Sequence, residues 1–107
     1  MALDFKPIFS YTFPMQKNLL PQLTFTVQVF REGKTLVAYN PELDISSCGD
    51  SADEAKKNLR DAVRGFLKSA HTHGTLVRIL EEAGYVRKRD RWYDPEMVTL
   101  DRFSLTV

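Results

Sequence analysis

Ser51 and Glu54 stand at the head of a long amphipathic run, and together they fix where one helix must begin. In this spacing the serine oxygen accepts from the amide three residues on. The glutamate reaches back to the serine N–H, so two donors orphaned at the helix start are satisfied. Behind them Ala55, Leu59, Ala62, Val63, Phe66, Leu67 and Ala70 recur at helical spacing as one apolar stripe. Lys56, Lys57, Arg60, Asp61, Arg64 and Lys68 take the other sides. A helix of about five turns with a single apolar stripe has to bury that stripe on another layer. Gly65 lies inside it and costs ~1 kcal/mol against alanine unless something packs closely there.

The flanking residues supply that layer. Leu23, Phe25, Val27 and Val29 alternate with Thr24, Thr26, Gln28 and Phe30, which reads as a strand with one wet face. Arg31–Lys34 is a turn, and Thr35–Asn40 is a second β-rich run, so the two predict an antiparallel hairpin. Pro41 ends the run, and after the P-E-L-D turn Ile45–Gly49 has the length of a third strand. Downstream, Thr75 suits an N-cap, Leu76, Ile79, Leu80 and Ala83 form a second stripe, and Gly84 supplies the stop. Tyr85–Tyr93 reads as a small hairpin or irregular strand. Pro95 breaks it, and Leu100–Val107, with Phe103, Leu105 and Val107 alternating, reads as a last strand. The order predicts an α+β domain over 22–107: a small antiparallel sheet with one long helix packed on it, a short second helix and a C-terminal strand.

Residues 1–21 differ in character, with prolines at 7, 14 and 21 and with Phe5, Phe9, Tyr11 and Phe13 crowded together. Ile8–Phe13 alternates as a short edge strand, which needs cover from its own sheet or from another copy. A start at Met15, with the preceding residues an upstream extension, fits the same residues. The aromatic segment and the small core together predict a homo-oligomer, a dimer or a tetramer.

Composition narrows the function. The chain has 107 residues, 43% of them hydrophobic, and a formal net charge of +1. That balance argues against a DNA-coating protein, whose phosphate contacts need a basic excess. Cys48 is the single cysteine, which excludes an internal disulfide framework and fits a reducing cytoplasmic location. No apolar run approaches the ~18 residues of a membrane helix. Asp4 and the early prolines fit no secretory signal.

From Tyr39 to Ala55 the chain spells Y-N-P-E-L-D-I-S-S-C-G-D-S-A-D-E-A. This resembles the HicB antitoxin family, whose pattern is a strand ending in P-E-L, a polar stretch, G-D-S or G-D-T, and a capped helix starting E-A. The likeness extends over the preceding hairpin and the helix segment K-K-N-L-R-D-A-V, roughly residues 23–70. The tail G-T-L-V-R-I-L-E-E-A-G-Y resembles one HicB-like subgroup. The resemblance implies a ββ(β)αβ domain like part of the ribonuclease H fold. It also implies a binding role: covering the active-site histidine of a small basic HicA-type ribonuclease toxin. Many relatives add a helix-turn-helix or ribbon-helix-helix segment for operator binding, a pattern absent from the residues up to Val107.

Metal-dependent cleavage on a ribonuclease H frame would need converging carboxylates, and Asp44, Asp50, Asp53, Glu54 and Asp61 are those available. Each has an ordinary role at a cap, a first helical turn or a bend, so neither catalysis nor a cofactor is expected. His71 and His73 point to different helix faces and lack a third ligand, so no metal is expected. Cys48 reads as a buried or half-buried structural thiol. Arg87, Lys88, Arg89, Arg91 and Trp92, with Tyr93, either grip a nucleic acid by charge and stacking or form a solvated turn whose tryptophan folds onto the core. Pro41–Asp61 holds six acids against three bases. This acidic rim either suits a basic partner or is a solvated helix start, and its partner-binding candidates are Pro41, Glu42, Leu43, Asp44, Asp50 and Asp53.

Overall fold

A computed structural model describes residues 22–107; the expectations for residues 1–21 lie outside the described residues. Three strands, β1 (Gln28–Glu32), β2 (Thr35–Asn40) and β3 (Ile45–Gly49), form an antiparallel meander in the order β1-β2-β3. Helix α1 (Ala52–Thr72) packs on that sheet, mainly on β2 and β3. A short helix α2 (Leu76–Glu82) follows, and then a separate hairpin of β4 (Val86–Lys88) and β5 (Arg91–Tyr93). The fold is α+β, with the third strand and both helices where the sequence puts them.

The core forms where the α1 stripe meets the sheet. Ala55, Leu59, Val63, Leu67 and Ala70 are buried against Ala38 of β2, and Leu76, Leu80 and Tyr85 complete the cluster. Ala62 is exposed and Phe66 is half outside, so the buried stripe is narrower than the sequence suggests. A three-stranded sheet offers α1 too little width to cover its shoulder. Gly65 has open space around its missing Cβ, so no close approach explains a glycine there.

The turn from β3 into α1 does depend on a glycine. A Cβ on Gly49 would lie 2.7 Å from the Ala55 amide nitrogen and 2.9 Å from Glu54 Cγ. The strand end and the helix start therefore touch backbone to backbone. Ser51 caps α1 as expected, accepting from the Glu54 amide at 3.1 Å. The return bond differs: Glu54 accepts from the amide of Asp50, not of Ser51.

Both helices end in the same way. Gly74 and Gly84 have φ of 76° and 102°, a region closed to most side chains. After α2 the amide of Gly84 bonds to Glu81 and that of Tyr85 to Leu80, and after α1 Gly74 bonds to His71 and Thr75 to Ala70. This paired pattern is the Schellman motif, and its apolar contact is made here by Leu80 and Tyr85, both fully buried. Thr75 thus closes α1 while opening α2. Its hydroxyl turns back to Ala70, and it makes no side-chain cap on α2, contrary to expectation.

Two strand assignments shift. The alternation at Leu23–Phe30 yields a strand only from Gln28, and the phase slips within it. Leu23 and Phe25 pack on the core while Val27 and Val29 are exposed, because Thr26 turns inward to bond with Glu42. Leu100–Val107 joins no strand at all, and residues 94–107 belong to no helix, strand or bridge.

Tyr85 ties the segment after α2 to the start of the described chain. Its hydroxyl donates to the Thr24 carbonyl, and its ring lies 5.3 Å from that of Phe25 at an interplanar angle of 50°. Burial first, then the carboxylates of Glu42 and Asp94, push its ionisation well above the ordinary tyrosine value of 10.0. The folded state keeps this proton where the unfolded chain releases it, so stability is whole below pH 10.0 and falls as pH rises beyond it. Tyr39 is raised as well, through its bond to Asp44, so the diagnostic is a difference between proteins. Denaturant melts across alkaline pH should show a steeper loss for wild type than for Tyr85→Phe, although the variant is less stable at neutral pH by ~1–3 kcal/mol. Gly65→Ala should raise stability by ~1 kcal/mol and Gly49→Ala should lower it by ~1–3 kcal/mol in the same assay.

Candidate functional site

The residues of the P-E-L-D turn are organised by one buried amide. Asn40 is fully buried at the end of β2. Its Nδ2 donates to the Thr26 carbonyl at 2.9 Å and to Glu42 at 2.6 Å, and its Oδ1 accepts from the Leu43 amide at 2.9 Å. Glu42 also accepts from the amide of Thr26, at 2.8 Å, and from its hydroxyl. The turn is thereby pinned to the segment entering β1. Asp44, left-handed at φ 57°, accepts from the Tyr39 hydroxyl at 2.9 Å and closes the turn from the outside.

The partner-binding candidates consequently fall into two kinds. Glu42 and Leu43 are half-buried and serve the fold, one through Asn40 and Thr26, the other by packing on the core. Pro41, Asp44, Asp50 and Asp53 are exposed. Nor do the exposed ones form a single cluster. Pro41 and Asp44 precede β3 while Asp50 and Asp53 follow it, separated by the length of a five-residue strand, ~17 Å. Asp53, in the first turn of α1, is 97% exposed and faces Lys56 at 3.8 Å. Asp61 sits further along α1 between Lys57 at 3.0 Å and Arg64 at 3.2 Å. The Lys57 ammonium, more than Arg64, holds its carboxyl below the usual range. Among the described residues no three His, Cys, Asp or Glu side chains come together as a metal site.

The basic-aromatic segment folds as the β4–β5 hairpin, with Arg89 and Asp90 both left-handed at its tip. Register places Arg87 opposite Trp92 and Lys88 opposite Arg91. Trp92 is half-buried against the core, so its ring supports the body of the protein. Arg87 and Asp90 lie 3.4 Å apart across the turn. The exposed aromatic on this hairpin is Tyr93, which shares its face with Lys88 and Arg91. His73 ends α1 and its Nδ1 lies 2.8 Å from the Ser69 carbonyl, a local bond. Cys48 is exposed on the sheet face away from α1, not buried as expected, because β3 alternates and Ser47 takes the inward position.

An apolar groove of about 590 Å³ runs between the 22–27 segment and α1, lined by Leu23, Phe25 and Val27 on one side and Leu59, Val63 and Leu67 on the other. The sequence pattern gave no sign of it. It arises from the phase slip at Thr26 and from α1 sitting over β2 and β3. No helix among the described residues is long and apolar enough to cross a membrane.

No family model, curated protein or solved structure matches this chain. The site's energetics can be tested directly: Asn40→Ala removes bonds to three groups in the turn and should destabilise by ~2 kcal/mol or more. Asp44→Ala, which loses one exposed bond, should stay within ~1 kcal/mol of wild type in the same urea titration.

Proposed function

We propose that this chain is a HicB-like binding module that acts in the cytoplasm, captures a small basic HicA-type ribonuclease toxin and performs no chemistry itself. One observation supports the reading above others. The residues that carry the HicB resemblance, Tyr39–Ala55, fold as one braced unit of strand, turn, strand and capped helix. Asn40, Glu42, Ser51 and Glu54 brace it from within and Asp44 adds an outer bond from Tyr39, while Asp44, Asp50 and Asp53 are exposed. A preformed surface with outward carboxylates suits a cationic partner, because complementary charge speeds encounter and little ordering is required on binding.

The experiment is capture by the tagged full chain, followed by growth rescue when the captured protein is expressed with and without it. Recovery of a small basic histidine-containing ribonuclease, and restored growth, are expected. A captured ribonuclease that remains toxic in the presence of the chain would overturn the reading. Asp50→Lys with Asp53→Lys should slow association on the order of tenfold at low salt, while stability falls by only about 1 kcal/mol from the lost acid at the α1 N-terminus. Glu42 is unsuitable for this test, since reversing its charge would break the Thr26 and Asn40 bonds.

A further inference from the structure

Residues 97–107 form an arm with the sequence of a strand and no sheet to join. Phe103, Leu105 and Val107 alternate with Arg102, Ser104 and Thr106, the period of a strand with one apolar face. They are 84%, 75% and 115% exposed, and Met97, Val98 and Leu100 are exposed as well. The root of the arm is fixed. The Asp94 carboxylate accepts from the Thr24 amide at 2.9 Å, and Pro95 packs 3.4 Å from where a Cβ on Gly84 would stand.

The sheet has a complementary vacancy. Among the described residues β1 is an edge strand, and α1 covers it least of the three. The segment that leads into it, residues 22–27, faces α1 across the apolar groove of Leu23, Phe25, Val27, Leu59, Val63 and Leu67. A fourth strand laid along β1 would place its apolar face in that groove. The arm starts next to its own Thr24 yet leaves the body there. Eleven residues extended reach ~36 Å, enough to cross to a second molecule and run the full ~17 Å of its β1.

We infer that the arm is an exchanged strand: residues 97–107 of each chain reach a second copy and pair with its β1, an edge left open by the described residues, seating Phe103, Leu105 and Val107 in its groove. Reciprocal exchange closes a two-fold dimer, satisfies an edge that would otherwise recruit strands at random, and covers the apolar face of Phe103, Leu105 and Val107. This inference stands apart from the toxin-binding proposal and uses none of its residues.

Sedimentation of the full chain over a concentration series tests it, with hydrogen exchange read on the arm amides. Two chains per particle, with protection of 97–107 that grows as dimer forms, is expected. Phe103→Asp with Leu105→Asp should return the particle to one chain while the helical circular dichroism is retained. A monomer at all concentrations would overturn the inference, whether its arm amides exchange freely or are protected by folding onto their own sheet. So would a dimer that persists in the folded double variant, or one whose arm exchanges freely. Should the variant fail to fold, the wild-type mass and arm protection decide the matter alone.

Discussion

The amide of Asn40 is the interaction on which the rest of the fold leans. A fully buried amide is costly unless each of its groups is paired, and here both the nitrogen and the oxygen are. Its partners come from the segment before β1, from the turn after β2 and from Glu42 between them. One side chain therefore decides how the chain enters the sheet, where β2 stops and how β3 starts. It also explains why the acid at 42 sits where it does. Glu42 takes bonds from Thr26 that would otherwise belong to a ladder, and this draws Thr26 inward and slips the alternation of the strand before it.

That slip shows where legibility in the sequence ended. The Ser51 cap, the long helix, the β2 and β3 strands and the Gly84 stop are local matters of period and terminus chemistry, and they stand as read. The strand before them failed because a side chain sixteen residues away competes for its backbone. Phe66 and Ala62 followed the helical period faithfully but met no partner, since sheet width is a property of the whole fold. Glu54 reached Asp50 and not Ser51 because Gly49 lets the strand end approach so closely that the upstream amide lies within reach. Of the candidate site, the exposure of Asp44, Asp50 and Asp53 was legible, while the structural commitment of Glu42 and Leu43 was not.

The role of Tyr85 is hidden in the sequence for a related reason. A tyrosine after a helix-ending glycine resembles a loop residue, yet the Schellman geometry turns that position inward onto Leu80. From there the hydroxyl reaches Thr24, across most of the described chain. Asp94 reaches the same residue from the end of β5, so Thr24 is held from two sides. The second half of the chain thus supplies a clamp on the entry to the sheet and no strand beside β1.

The missing strand links the two proposals without making either depend on the other. With the order β1-β2-β3 among the described residues, the open edge at β1 and the acidic ends of β3 lie on opposite borders of the sheet. A second copy seated on β1 leaves Asp44, Asp50 and Asp53 uncovered, so an exchanged dimer would offer two equivalent acidic rims. Pairing through β1 would also brace β2, which carries Asn40 and with it the turn that presents Asp44. Oligomerisation would then support partner capture through the sheet itself, by holding rigid a turn whose bonds run back to the strand beside the exchanged one.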